Sequence, residues 1–226
     1  MLLFCLLKQL FDPFLQVVYI VFRTIKVNKA VFEKNEKLRG FASVTLEASL
    51  KVGNIAIYES QKGNLYVKMP KYNTGEKDED DRPVYKDTCY PISREYRDEL
   101  YDNILVAFAE CEEGKNEISV DHGEVKLDYD LQVVENKDKH SNVKDLARII
   151  LEDSFVIGQV AVKQSRVNEE YVDMPGVFRK KDGKIKPQSI CYPVTAEFRE
   201  KLYGQVMGKY HEVMEKNKKP VSEVAR

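Results

Sequence analysis

The chain has 226 residues, of which 43% are hydrophobic and 10% aromatic, so it can bury a core and is not an intrinsically disordered chain. Its 36 Lys and Arg residues nearly cancel its 37 Asp and Glu residues. This balance excludes a protein that attracts nucleic acid or a membrane surface through its overall charge, so any electrostatic partner must be bound by a local patch.

Residues 1–22 are strongly apolar but are interrupted by Asp12 and Pro13. A membrane-spanning helix needs about 20 mostly apolar residues, and a charge followed by proline breaks such a helix. The segment also lacks the basic start and the cleavage site of a signal peptide. We expect residues 1–23 to be an apolar leader outside the fold, as an overextended start would be, with membrane attachment as the alternative.

Two long segments of the chain repeat each other. Arg39–Ile57 aligns with Lys144–Val162 at an offset of 105, and Cys89–Tyr101 aligns with Cys191–Tyr203 at an offset of 102. The change of offset shortens the second copy by three residues between these landmarks, which indicates a surface loop there. The predicted organisation is a first domain over 24–108, a linker over 109–123, a second domain over 124–212 and a basic tail over 213–226.

Each copy begins with strands and ends with a helix. Apolar residues alternate with polar ones from Ala42 to Leu46 and from Ala147 to Leu151, as in a strand with one buried face, and further alternating runs follow short polar turns. Apolar residues then recur every four positions, which predicts an amphipathic helix that Ser93 or Thr195 caps at its N-terminus. The recurring residues are Tyr96, Leu100, Ile104 and Phe108 in the first copy and Phe198, Leu202, Val206 and Tyr210 in the second.

The chain lacks the sequence motifs of the common catalytic sites, including a nucleophile elbow, a zinc-protease helix and a phosphate-binding loop. We therefore predict no enzyme, no catalytic or metal-binding residue and no cofactor. His122, His140 and His211 do not recur between the copies and are interpreted as solvated surface residues. Cys89 and Cys191 do recur, but without neighbouring ligands they are interpreted as small buried hydrophobic residues of a protein in the reducing cytoplasm.

The polar loop after each Met-Pro differs in charge between the copies. Gly176–Ile190 holds five cations and one anion, a net charge of +4, whereas Lys71–Asp87 holds four cations and six anions, a net charge of −2. Flexible cations beside an aromatic ring suit phosphate contacts and stacking on an unpaired base, although two solvated hairpin tips are the alternative. The candidate nucleic-acid-binding residues are Phe178, Arg179, Lys180, Lys181, Lys184 and Lys186.

The first copy carries an Ala-Ser-Val-Thr-Leu strand, a Val-Gly-Asn-Ile-Ala-Ile strand, Leu-Tyr-Val-Lys-Met-Pro over Leu65–Pro70, and Tyr-Pro before its helix. This order resembles the stage V sporulation protein G (SpoVG, septation regulator) family. That family typically has Leu-Phe-Val-Ala-Met-Pro followed by His-Pro-Ile, and here Tyr90 and Tyr192 stand in place of the histidine. The resemblance implies a small α+β domain that forms dimers and binds DNA and RNA site-specifically to regulate septation and sporulation.

The resemblance covers both copies of the repeat but not the leader. We predict an α+β fold in which two tandem modules, each a small antiparallel sheet with a C-terminal helix, pack as an intrachain pseudo-dimer that could assemble further. The family is basic after Met-Pro, and only the second copy keeps that charge. We therefore expect a regulator that binds DNA or RNA through the second-copy loop, while the acidic first-copy loop serves another role, such as contact with a protein partner. The alternative is a scaffold module in cell division or sporulation that binds protein and no nucleic acid; a membrane is a partner only if the leader is an anchor.

Overall fold

Each copy of the repeat folds as an antiparallel sheet with one helix in a computed structural model that describes residues 22–30, 35–111, 117–119, 127–136, 142–181 and 183–218. The predicted leader, apart from its last residues, lies outside this described part, as do His122 and His140. The first-copy elements are β1 (Phe22–Lys29), β2 (Leu38–Leu46), β3 (Leu50–Glu59), β4 (Leu65–Lys68), β5 (Lys71–Lys77), β6 (Pro83–Asp87), β7 (Cys89–Pro91) and α1 (Arg94–Glu110). They are followed by β8 (Glu117–Ser119), β9 (Tyr129–Glu135), β10 (Val143–Leu151), β11 (Phe155–Gln164), β12 (Glu170–Asp173), β13 (Gly176–Lys181), β14 (Lys184–Ser189), β15 (Cys191–Pro193) and α2 (Ala196–Lys218).

The strands form two main sheets and two separate hairpins. The first sheet has the order β15-β3-β2-β1-β8, with β4 also paired to β3, and the second has the order β12-β11-β10-β9, with β7 also paired to β11. The β5–β6 and β13–β14 pairs are two-stranded hairpins that correspond to the two polar loops. The predicted antiparallel strands joined by short turns are therefore confirmed, and the α+β fold class with them.

The two copies exchange a short strand. Cys191–Pro193 of the second copy pairs with Leu50–Val52 of the first, and Cys89–Pro91 of the first pairs with Phe155–Ile157 of the second. Each exchanged strand fills the part of a sheet edge that the local strand β4 or β12 leaves open. Unpaired backbone groups at a buried edge are costly, so this exchange stabilises both sheets and builds the expected intrachain pseudo-dimer.

Backbone hydrogen bonds at equivalent positions reinforce the exchange. The Gly53 N–H donates to the Ile190 carbonyl at 2.7 Å, and at the equivalent place the Gly158 N–H donates to Thr88 at 2.8 Å. A second pair of backbone bonds joins the residues just before each helix to the opposite copy. In one of them the Val194 N–H donates to the Ser49 carbonyl at 2.8 Å. The strand exchange itself is thus made by backbone hydrogen bonds, which the two copies share even where their side chains differ.

The helices cover the inner faces of their own sheets. Ser93 accepts a hydrogen bond from the Tyr96 N–H at 3.1 Å, and Thr195 accepts one from Phe198 at 3.2 Å, so both predicted N-caps are confirmed. The predicted apolar faces are buried, except that Phe198 is only partly covered. The Tyr96 ring also meets Phe155 of the second copy edge-on, at 6.4 Å between centroids, so the core runs from one copy into the other.

Several bounds differ from the domain organisation predicted from the sequence. The first strand begins at Phe22, ahead of the predicted first domain, and β8 lies inside the predicted linker, where it pairs with β1. Helix α2 continues through Lys218, into the predicted tail. The three-residue shortening falls at the hairpin tips, since the β5–β6 connection spans 78–82 and the β13–β14 connection spans 182–183.

Candidate nucleic-acid interface

The β13–β14 hairpin carries the candidate binding residues on a solvent-exposed ribbon. Phe178 is 79% exposed and Ile185 is 73% exposed, and Lys184 and Lys186 are exposed as well. Two large apolar side chains held in water beside cations give the ribbon both stacking and charged surface. The backbones of Lys180 and Lys181 continue strand β13, and their side chains lie outside what the structure describes.

Arg179 anchors the hairpin to the first copy. Its guanidinium lies 5.1 Å from the centroid of the Phe41 ring and donates a hydrogen bond to Asn54 Oδ1. Phe41 and Asn54 both belong to the outer face of the first sheet, the face opposite α1. A cation over an aromatic face together with a hydrogen bond fixes the arginine, so the second-copy hairpin lies against the first-copy sheet.

A β-bulge places Asn54 in this position. Gly53 and Asn54 interrupt the regular register between β2 and β3, and Asn54 has a φ of 59°. Asparagine tolerates this left-handed conformation better than most residues, and the bulge turns its side chain outward. Gln159 has a φ of 58° at the equivalent place in the second copy, so the bulge is a feature of the repeat.

The first-copy hairpin β5–β6 neutralises its own charge. Each of its cations lies within 4.0 Å of a carboxylate of the same hairpin. The pairs are Lys71 with Asp87, Lys77 with Asp81, Arg82 with Asp80, and Lys86 with Glu76. Exposed pairs of this kind stabilise a fold little, but they leave the hairpin without a surplus of positive charge, in contrast to β13–β14.

Further basic and aromatic side chains extend the surface across the first sheet. Lys68 Nζ lies 4.7 Å from the ring centroid of Tyr58 and 5.4 Å from that of Tyr66, and these two rings stack at 5.9 Å. Lys26 and Lys51 lie on the same outer face. These residues were not predicted from the sequence, because the alternation along the strands was used only to locate buried positions. The polar and aromatic residues between the buried positions would have indicated this outer surface.

The repeated cysteines lie in the core and away from this surface. Cys89 and Cys191 are both 0% exposed, which confirms their interpretation as buried packing residues. The pKa of Cys191 is raised well above its usual range, chiefly because the thiol is buried and to a smaller extent because the Cys89 thiol lies beside it. A thiol held in its neutral form is a poor nucleophile and a poor metal ligand. Within the residues that the structure describes, no cluster of three His, Cys, Asp or Glu side chains could hold a metal ion.

His211 makes a specific contact on the second copy. Its Nε2 lies 2.9 Å from Glu170 Oε2, and Glu170 also accepts a hydrogen bond from the Tyr210 hydroxyl at 3.0 Å. The pKa of Glu170 is lowered, chiefly by the hydrogen bond to His211. This group joins β12 to α2, so His211 is exposed, as expected, but helps to hold the last helix on its sheet.

Neither α1 nor α2, nor any other helix in the described ranges, combines the length and the apolar character that a membrane crossing requires.

Both copies of the repeat match the same known protein family. The SpoVG family model matches residues 22–110 and again residues 128–212. The chain is 33% identical over 78 residues to a septation protein of Archaeoglobus fulgidus named SpoVG. The aligned region covers 34% of this chain and 84% of that protein. The chain is 31% identical over 87 residues to a protein of the same name in Heliobacterium modesticaldum, covering 38% of this chain and 88% of the relative. Each relative therefore corresponds in length to about one copy of the repeat.

Proposed function

Because the chain belongs to the SpoVG septation-protein family, as two tandem copies of its domain, we propose that it is a non-enzymatic regulator that binds DNA or RNA through the β13–β14 hairpin. The observation that carries this proposal is the charge contrast between the hairpins. The cations of β5–β6 are paired with carboxylates of the same hairpin, whereas Lys184 and Lys186 project from β13–β14 into solvent.

The form of the hairpin supports the same function. Arg179 fixes the ribbon against the first sheet, and Phe178, the preceding residue of β13, is an exposed ring on the opposite face of the ribbon. Cations on a positioned ribbon neutralise phosphates and release counterions, which makes binding strongly salt-dependent. An exposed aromatic ring adds stacking on an unpaired base. The absence of a catalytic motif from the sequence is in keeping with a function in binding.

Two matched variants test the proposal. Lys184→Ala with Lys186→Ala removes two cations from β13–β14, and Lys77→Ala with Lys86→Ala removes two from β5–β6, so the change in net charge is equal. We expect the first variant alone to weaken binding of a labelled mixed-sequence oligonucleotide. The slope of the logarithm of the association constant against log salt, which is negative, should decrease in magnitude by about 1 to 2. Fluorescence anisotropy at a series of salt concentrations measures both quantities.

A variant with Ala at Arg179, Lys180, Lys181, Lys184 and Lys186 extends the test to the whole hairpin. We expect it to lose salt-dependent binding and retention on heparin, with an unchanged circular dichroism spectrum. Unchanged binding by this variant would overturn the proposal and leave a protein-interaction or scaffold module as the better account.

A further inference from the structure

A groove runs between strand β14 and the outer face of the first sheet, and it encloses about 270 Å³. Its floor and walls come from both copies of the repeat. The residues relevant to binding are Lys26, Phe41, Lys51 and Asn54 of the first copy and Gln188 and Tyr192 of the second. The groove therefore exists only because the two copies exchange strands and the second-copy hairpin lies over the first sheet.

The strand exchange fixes the aromatic wall of the groove. Tyr192 is the middle residue of β15 and lies opposite Lys51 of β3 in the register of the sheet. Its neighbours Cys191 and Pro193 point into the core, so Tyr192 faces outward and is 37% exposed. A tyrosine ring held on a strand loses little conformational freedom when a base stacks on it.

The groove combines the groups that recognise nucleotides. Lys26 and Lys51 supply positive charge, and no carboxylate is among the residues that line it in the described part of the chain. The amides of Asn54 and Gln188 can donate to and accept from the edge of a base. The Arg179 guanidinium, which bonds Asn54, brings a further cation to one end.

The equivalent groove of the second sheet has different chemistry. Tyr90 replaces Tyr192 there, but Val156 stands in place of Lys51. Asp87 also lines this second groove and forms an ion pair with Lys71 at 3.6 Å. The repeat thus provides two grooves of the same construction. Lys86 and Arg148 also line the second groove, and among the described residues a carboxylate lines the second groove and none lines the first.

We propose that the groove of the first sheet binds unpaired bases of a single-stranded nucleic acid, whose phosphates contact Lys51 and the lysines of the β13–β14 hairpin. This inference rests on the proposed function and specifies its ligand. Bases in a duplex are stacked on their neighbours and paired at their edges, so they cannot enter a groove of this size without unpairing. The stacked rings of Tyr58 and Tyr66, with Lys68 above them, lie on the same outer face of the first sheet. They extend the surface along which the bound nucleic acid would run.

The equivalent tyrosines provide a matched test. Tyr192→Leu removes the ring from the first groove, and Tyr90→Leu makes the same change in the second. The probes are a fluorescein-labelled single-stranded oligonucleotide of mixed sequence and the duplex of that sequence. We expect the wild-type chain to bind the single strand more tightly than the duplex, and Tyr192→Leu to weaken single-strand binding about tenfold while Tyr90→Leu changes it less than about twofold.

Lys51→Gln supplies a second variant, since it retains the β3 backbone and a polar side chain but removes the charge. We expect it to weaken single-strand binding about threefold or more. Equal affinity of the wild-type chain for single strand and duplex would overturn the inference, as would equal effects of the two tyrosine substitutions. If the β13–β14 lysine variant loses binding while Tyr192→Leu and Lys51→Gln retain it, the groove assignment fails and the proposed function stands. If all these variants bind as the wild-type chain does, both fail.

Discussion

The guanidinium of Arg179 in the second copy donates a hydrogen bond to Asn54 Oδ1 in the first. Through this contact the basic hairpin of one copy lies on the sheet of the other. The candidate binding surface therefore belongs to neither copy alone, whereas the sequence placed it on the second copy. Duplication of the domain within one chain allows the two hairpins to differ in charge, which two identical subunits could not do.

Arg179→Ala is predicted to loosen the β13–β14 hairpin without unfolding the protein. The substitution removes both the hydrogen bond to Asn54 and the contact with Phe41, each of which is worth about 1 kcal/mol at an exposed site. We expect hydrogen exchange of the hairpin amides to increase about tenfold or more. Lys184→Ala is the control, because it removes the same charge with neither contact, and an equal increase in that variant would contradict the anchoring role of Arg179.

A fragment of residues 22–111 is predicted to form a dimer. It retains β1 to β4 of the first sheet but lacks β8 and β15, so the edge of β3 from Leu50 to Val52 has no partner. Two fragments can close both edges by exchanging their own β7 strands, as the two copies do within the full chain. Sedimentation velocity at micromolar concentration measures the outcome. A folded monomer would show that the strand exchange is unnecessary for a stable copy.

Gly40→Ala is predicted to destabilise the first copy by about 1 to 3 kcal/mol. A Cβ atom at this position would lie 2.3 Å from the Asn28 carbonyl oxygen and 3.0 Å from the Phe108 ring, so β1 would have to move. Gly53→Ala is the control, since its nearest contact would be the Ile190 carbonyl oxygen at 3.6 Å. Urea unfolding should show a change of at most about 0.5 kcal/mol for that variant, and comparable losses in both would contradict the steric argument.

The contact of Glu170 with His211 and Tyr210 is predicted to make stability depend on pH. The pKa of Glu170 is lowered in the folded protein, so its contribution is present above the unfolded pKa of about 4.3 and is lost as the pH falls through the folded pKa. Glu170→Gln should therefore be less stable than the wild-type chain at pH 7, with the difference disappearing at low pH. Urea unfolding at both pH values tests this, and a difference that persists in acid would contradict the assignment.

Local features of the fold were predictable from the sequence. The alternation from Ala42 to Leu46 identified β2, and the spacing of apolar residues identified both helices. Ser93 and Thr195 marked the helix starts because an N-cap depends on residues that are close in the sequence. Each of these local patterns occurs at equivalent positions in both copies, so every prediction had two independent supports.

The strand exchange was not predictable, because it depends on long-range pairing. Cys89–Pro91 and Cys191–Pro193 are strands of three residues, too short for a period-two pattern, and their partners lie in the opposite copy. The turn before β3 also escaped prediction. Glu47 and Ala48 have φ values of 45° and 49°, a conformation that usually selects Gly, Asn or Asp.

The candidate site likewise combines a feature that is local in the sequence with contacts that are not. The sequence identified the charge of the second-copy loop, since charge can be counted without knowing the fold. It could not show that Arg179 contacts Phe41, or that Lys51 and Tyr192 lie side by side, because these contacts join residues of different copies. The structure thus extends the predicted basic loop to a surface that includes the first sheet.

Photo-crosslinking of a bound single-stranded oligonucleotide, with the linked peptides mapped by mass spectrometry, would locate the binding surface on both copies. We expect crosslinks on the β13–β14 hairpin, with Phe178 among them, and on the outer face of the first sheet near Tyr192. Crosslinks concentrated on the β5–β6 hairpin or on the exposed faces of α1 and α2 would contradict this assignment.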